Sequence, residues 1–173
     1  MELDKLQVRT LLIVDDESEM RACLATEVEL LGYNPICAES AAIGIEHIKA
    51  GGIHAVLCDI QMPEMSGIEM LTNVRSEGYN LPFVFLTGAQ TKENLKSAVR
   101  LGAYDFVEKP FRPDDLQSAI TRALEIGVRM QSAQEKMNAL KSALPDNHQV
   151  DELTRDQQHI ARLQAISTKK RAD

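Results

Sequence analysis

The sequence contains no run approaching the roughly 18 apolar residues that a membrane-spanning helix needs. Residues 1–9 alternate charge with leucine and lack the apolar stretch of a signal peptide. A cytoplasmic protein without a membrane partner is expected. A cationic surplus is missing too: 19 Lys and Arg stand against 26 Asp and Glu, for a formal net charge of −7. Gripping DNA or RNA takes a surplus of Lys and Arg on one face, so no direct DNA binding and a protein partner are expected. Cysteine is scarce. Cys23, Cys37 and Cys58 form an odd set without a CxxC pair, each in an apolar stretch that predicts burial, and they read as inert reduced thiols. His47, His54, His148 and His159 share no metal-ligand spacing, which argues against zinc. Repeats, low-complexity tracts and a turn-helix motif with a basic recognition helix are likewise absent from the sequence.

What is present is an ordinary globular composition, 44% hydrophobic and 26% charged over 173 residues. That length holds one domain with a proper core plus a remainder of roughly 50 residues. Between residues 10 and 113, short apolar runs alternate with longer amphipathic segments, the pattern of parallel strands buried on both faces under helices. Strands are predicted at 10–14, 33–38, 55–59, 83–87 and 105–108, and helices near 18–31, 40–50, 67–77 and 91–101. Gly32, Gly51, Gly78 and Gly102 stand where helices would end.

Ligands of such open α/β sheets bind beyond the C-terminal ends of the strands. Asp15 and Asp16 end the first strand, Asp59 the third and Thr87 the fourth, while Lys109 follows the fifth. Three carboxylates crowded there repel by several kcal/mol at intermediate dielectric, roughly, unless a cation intervenes. With oxygen ligands alone, Mg²⁺ is the natural choice and Mn²⁺ a substitute. A carboxylate beside such a cation can attack a phosphoryl group. Asp59, alone at the end of the central strand, is the predicted nucleophile, with Asp15 and Asp16 holding metal and Thr87 and Lys109 donating to the phosphoryl oxygens. Asp15-Asp16 by itself would read as an acidic pair at a helix N-terminus, and Phe106 as plain core.

Val14-Asp15-Asp16-Glu17, Asp59-Ile60-Gln61-Met62-Pro63-Glu64-Met65-Ser66-Gly67, Leu86-Thr87-Gly88 and Glu108-Lys109-Pro110-Phe111 together resemble the receiver domain of two-component response regulators over roughly residues 8–125. The resemblance implies a doubly wound, flavodoxin-like five-stranded parallel sheet of order 2-1-3-4-5. It implies that Asp59 accepts a phosphoryl group from a histidine kinase or histidine phosphotransfer protein. Asp16, Asp59 and the Gln61 main-chain carbonyl would hold Mg²⁺, Asp15 would assist through water, and Lys109 would pair with the aspartyl phosphate. Thr87 and Phe106 would form the switch, and the Lys109-Pro110 bond would be cis. Gly88 departs from the usual Ala or Ser, and Phe106 lacks a tyrosine hydroxyl. The chain is thus expected to be a phosphoacceptor and not a conventional turnover enzyme.

After Pro113 a helical pattern runs to Leu144 and stops at Pro145-Asp146-Asn147. Leu116, Ala119, Ala123, Ile126, Met130, Ala133, Met137, Leu140 and Leu144 step by alternating threes and fours as a heptad seam. A second stripe, Ile120, Leu124 and Val128, would face the sheet and leave the seam for a partner. The expected organisation is a receiver domain over 1–127 and a helical extension over 128–173. A parallel coiled-coil homodimer is the favoured use of the seam, and a hairpin with residues 150–166 the alternative. Output would pass through a downstream protein partner. The rival expectation is a receiver and signalling helix cut from a larger regulator with a missing output domain.

Overall fold

The computed structural model describes residues 8–88, 96 and 98–143. Five strands, β1 (Thr10–Val14), β2 (Asn34–Ala38), β3 (Ala55–Asp59), β4 (Phe83–Thr87) and β5 (Asp105–Glu108), form one parallel sheet in the order β2-β1-β3-β4-β5. The helices are α1 (Ser18–Leu30), α2 (Ala41–Ala50), α3 (Gly67–Ser76) and α4 (Pro113–Ala143). This is the doubly wound order expected of the resemblance. Of the helix expected at 91–101, residues 96 and 98–100 are helical and the rest of its first seven residues lie outside the described residues. Leu144, residues 150–166, His148 and His159 lie outside them as well.

Each central strand alternates its side chains between two cores, as a pleat of period two requires. Leu11, Ile13, Ala55, Leu57, Val84 and Leu86 pack against Leu24 and Val28 of α1 and Leu116, Ile120 and Leu124 of α4. Leu12, Val14, Val56, Cys58, Phe83 and Phe85 pack against Ala41 and Ile48 of α2 and Met70, Leu71 and Val74 of α3. Ser40 caps α2, its hydroxyl accepting the Ile43 N–H. Gly32, Gly51, Gly78 and Gly102 all take positive φ just past helical segments.

Arg75 closes the base of the second core. Its guanidinium donates to the carbonyls of Tyr79 (2.9 Å), Leu81 (3.0 Å), Leu101 (3.3 Å) and Gly102 (3.3 Å) and lies 5.6 Å from the Phe83 ring centroid. One side chain thereby ties the loop after α3 to the turn before β5.

Two sequence expectations fail. Cys23 and Cys37 are exposed, and of the three thiols Cys58 alone is buried. Cys23 is one residue, about 100° of helix, away from the buried Leu24–Val28 stripe of α1. Cys37 lies on β2, an edge strand with only its last residue buried. The seam also fails as a continuous partner face. Leu116, Ala119 and Ala123 are buried in the first core together with Ile120 and Leu124, because packing on a sheet takes an apolar stripe wider than a coiled-coil seam. Only from Met130 onward does the seam reach solvent, with Met130, Met137 and Leu140 at 41%, 51% and 64% exposure. The chain divides into two units, Met1–Ser132 and Ala133–Asp173, and the described residues of the second are all exposed.

Gly127 supports the packing of α4. A Cβ there would run into the main-chain carbonyl of His54, the residue before β3. His54 is itself held: its Nδ1 accepts the Thr10 N–H at 3.0 Å and its own N–H reaches the Thr10 carbonyl at 3.0 Å. Gly127→Ala gains about 1 kcal/mol of helix propensity but meets backbone that cannot rotate aside, so overpacking of roughly 2–3 kcal/mol dominates. The expected net loss is about 1–2 kcal/mol, read as a lower urea midpoint at unchanged slope.

Candidate functional site

The strand register assembles the site. Val14 lies level with Cys58, Asp59 with Leu86, and Thr87 with Glu108. One residue past these pairs, Asp15 comes beside Asp59, and Lys109 leaves β5 next to Thr87. The Lys109 N–H donates to the Thr87 carbonyl at 2.7 Å, and the Lys109-Pro110 bond is cis. Asp15, Asp59 and Thr87 are buried, at 1%, 9% and 5% exposure.

Lys109 joins the two buried carboxylates. Its Nζ lies 3.1 Å from Asp59 Oδ1 and 3.7 Å from Asp15 Oδ2. Burial pushes the Asp59 carboxyl above the ordinary carboxylate range. The Lys109 hydrogen bond and charge oppose that rise, and Asp15 and Asp16 add to it. Burial pulls the Lys109 ammonium down, yet the hydrogen bond to Asp59 and the charges of Asp59, Asp15 and Glu17 outweigh it and hold the group above its usual value. Beneath them the Cys58 thiol is pushed well up, by burial first and then by Asp59 and Asp15, which keeps it neutral and unreactive.

Asp15 is divided between two tasks. Its Oδ1 accepts the Glu17 N–H at 2.9 Å, whereas Oδ2 is buried without a hydrogen-bond partner. A buried carboxylate oxygen left in that state costs stability and is the kind of donor a hard cation takes. Among the described residues no three His, Cys, Asp or Glu side chains close into a metal cage. Two carboxylates at a wet strand edge suit Mg²⁺, which keeps several waters, better than a dehydrated ion in a dedicated cage. The donors present therefore fit the cation expected from the sequence. Asp16 and Gln61 are exposed on the rim.

The loop after β3 is held at close quarters. The Gly67 N–H donates to the Ile60 carbonyl at 2.9 Å, and a Cβ on Gly67 would strike the Asp59 carbonyl. Ser66 and Glu69 form a reciprocal capping box that starts α3. Glu64, between them and Asp59, has a φ of 64°, uncommon for a residue with a side chain. Phe106 is half-buried and stacks on Phe85 with ring centroids 6.0 Å apart. Arg21 belongs to no motif of the sequence, yet its guanidinium donates to the carbonyls of both Asp15 (2.7 Å) and Asp16 (3.0 Å). Its place five residues after Asp16, inside the first turns of α1, is the signal that points to it.

Because burial and its acidic neighbours make the Asp59 charge unfavourable, Asp59→Asn is expected to stabilise the fold at pH 7. The raised native pKa fixes the sign. The folded state holds the Asp59 proton more tightly than the unfolded chain, so the wild type gains on the variant as pH falls through the native value. The gain is complete below the ordinary aspartate value of 3.8. Urea midpoints of both proteins between pH 4 and pH 8, on the order of the carboxylate range and above, should converge toward the acid end. Parallel curves would show that the charge is not the destabilising element.

The family model described as the response regulator receiver domain matches residues 11–121. Regulatory protein AtoC of Escherichia coli (strain K12) is 37% identical over 144 residues, which cover 82% of this chain and 30% of AtoC. Response regulator protein TodT of Pseudomonas putida is 29% identical over 129 residues, 75% of this chain and 57% of TodT. The chain thus spans about a third to little more than half the length of these relatives. Among solved structures, FixJ-N aligns with a TM-score of 0.63 at 33% identity, covering 68% of this chain and 94% of that one. A receiver domain protein from Clostridium thermocellum aligns at 0.67 and 26% identity, covering 71% and 99%. With the family model spanning well over half of its residues and its sheet in the same order, this chain belongs to the response regulator receiver domain family.

Proposed function

We propose that this chain is a response regulator that takes a phosphoryl group onto Asp59 from a histidine kinase or a histidine phosphotransfer protein. The observation that carries this reading is the Lys109 ammonium shared by the buried Asp59 and Asp15 carboxylates, with Asp15 Oδ2 left without a hydrogen bond. In the transfer, an Asp59 carboxylate oxygen forms the new bond to phosphorus while the bond from phosphorus to the donor's imidazole nitrogen breaks. Lys109 stays beside the carboxylate and donates to the phosphoryl oxygens, and Thr87, at the end of the neighbouring strand, supplies its hydroxyl as a further donor. Asp15, Asp16, Asp59 and the Gln61 main-chain carbonyl would hold Mg²⁺, or Mn²⁺ in its place. When bound, such a cation neutralises charge on the phosphoryl oxygens. Uptake is stoichiometric, one group per chain, and the protein is not a turnover enzyme.

Phosphorylation adds about −1.5 to −2 charge and three acceptor oxygens beside Lys109 and Thr87. A two-state shift involving Thr87 and Phe106 would carry that change to a downstream protein partner in the cytoplasm. The exposed Met130, Met137 and Leu140 support a second copy pairing along α4. The greater length of AtoC and TodT favours a second reading, in which this segment leads to the output domain of a longer regulator.

Intact mass after incubation with acetyl phosphate and Mg²⁺ tests the chemistry. A single phosphoryl adduct of about 80 Da is expected on the wild type, absent from Asp59→Asn and absent when EDTA removes the metal. No adduct on the wild type would sink the phosphoacceptor reading. Light scattering on the same samples should give a dimer mass that Leu140→Glu returns to monomer, and a monomer throughout would remove self-association from the proposal.

A further inference from the structure

The acidic pair is held from outside by a cation that touches neither carboxylate. Arg21 donates from one guanidinium nitrogen to two consecutive carbonyls, Asp15 at 2.7 Å and Asp16 at 3.0 Å, while its other terminal nitrogen lies 3.9 Å from the exposed Glu39 carboxylate. In a trans peptide the C=O and the following N–H point in opposite directions. Turning the Asp16 carbonyl toward Arg21 therefore turns the Glu17 N–H away from it. That N–H meets Asp15 Oδ1 at 2.9 Å. With Oδ1 so occupied, the carboxylate is locked in one orientation and Oδ2 is presented, buried and without a hydrogen bond, toward the Lys109 ammonium 3.7 Å away. Glu17 is also the N-cap of α1 and lends no side chain to the cap, and its carbonyl accepts the Arg21 N–H at 3.0 Å.

We infer that Arg21 is a positioning residue for cation binding: it sets the Asp16–Glu17 peptide, which sets Asp15 Oδ1, which leaves Asp15 Oδ2 for the metal. The inference rests on the Mg²⁺ reading above. It differs from an electrostatic role in sign. As a cation near an acidic site, Arg21 repels Mg²⁺ by charge alone, so its removal would tighten binding. As the part that orients the ligand, its removal loosens binding, in the way that outer partners of metal ligands do.

Isothermal titration with Mg²⁺ alone, without phosphodonor, should show Arg21→Met raising Kd by about tenfold. Arg21→Lys, which keeps the charge but loses the planar fork and some reach, should give an intermediate Kd. An unchanged or lower Kd in Arg21→Met overturns the inference. If that variant does not fold, a wild-type Kd in Arg21→Lys overturns it instead. Hydrogen exchange of the Glu17 amide in metal-free protein gives a readout that needs no Mg²⁺: exchange should be faster in either variant than in the wild type, and equal rates reject the orienting role. Wild-type protein that takes up no Mg²⁺ would defeat the metal reading, while the Glu17 amide would still decide whether Arg21 orients Asp15.

Discussion

Two buried carboxylates share one ammonium at the ends of adjacent strands, and most of the molecule serves to hold them there. Unit charges about 4 Å apart interact by roughly 4 kcal/mol at the effective dielectric of a partly wet site. Asp15 and Asp59 are therefore tolerable together only if Lys109 arrives between them. Its arrival depends on β5 lying beside β4, on β4 lying beside β3, and on the main-chain bond from Lys109 to the Thr87 carbonyl. A one-residue slip in any of these pairings would send the lysine to the other face of the sheet. The sheet order is thus a condition of the electrostatics as much as a packing solution.

The site is built at the expense of local comfort. Asp15 keeps a buried oxygen without a hydrogen bond, Glu64 sits in the left-handed region at a cost of about 1–2 kcal/mol, and Asp59 carries its charge against desolvation. The compensation lies in the surroundings. Capping at Ser66 and Glu69, the close approach allowed by Gly67, and the four-carbonyl clasp of Arg75 all stiffen the backbone on either side of Asp59 and β4. Strain confined between rigid elements persists in the native state, and such strain tends to cluster at functional sites.

The strands were legible in the sequence because both faces are covered, which leaves continuous apolar runs that end on polar residues at one edge. Asp15, Asp59, Thr87 and Lys109 were legible for the same reason: a polar residue directly after a buried run must lie at the strand end. Gly127 was not legible, since a glycine inside a helix signals nothing until the backbone it approaches, at His54, is known. Cys37 is expected to be buried from the apolar stretch around it, and that local pattern does not register how little of the edge strand β2 is covered. The seam misled because helix-on-sheet and helix-on-helix packing use overlapping positions. From Leu116 to Ala123 the two are indistinguishable by spacing alone. Arg21 escaped because its acceptors are main-chain carbonyls, which have no identity in a sequence.

The division of α4 constrains how a change at Asp59 can be read elsewhere. The helix starts four residues after Lys109, is bound to β5 through the 2.8 Å pair of Arg122 with Asp105, and is seated against the main chain of His54 at Gly127. His54 lies at the opposite end of β3 from Asp59, so α4 spans the depth of the sheet, about 22 Å over the 15 residues from Pro113 to Gly127. A helix packed along that whole length cannot bend freely, because close-packed interiors pass displacement on instead of absorbing it. Any displacement of the β5 end would therefore reach Gly127 as a shift or rotation of the helix. The tight seat there makes even a small rotation costly.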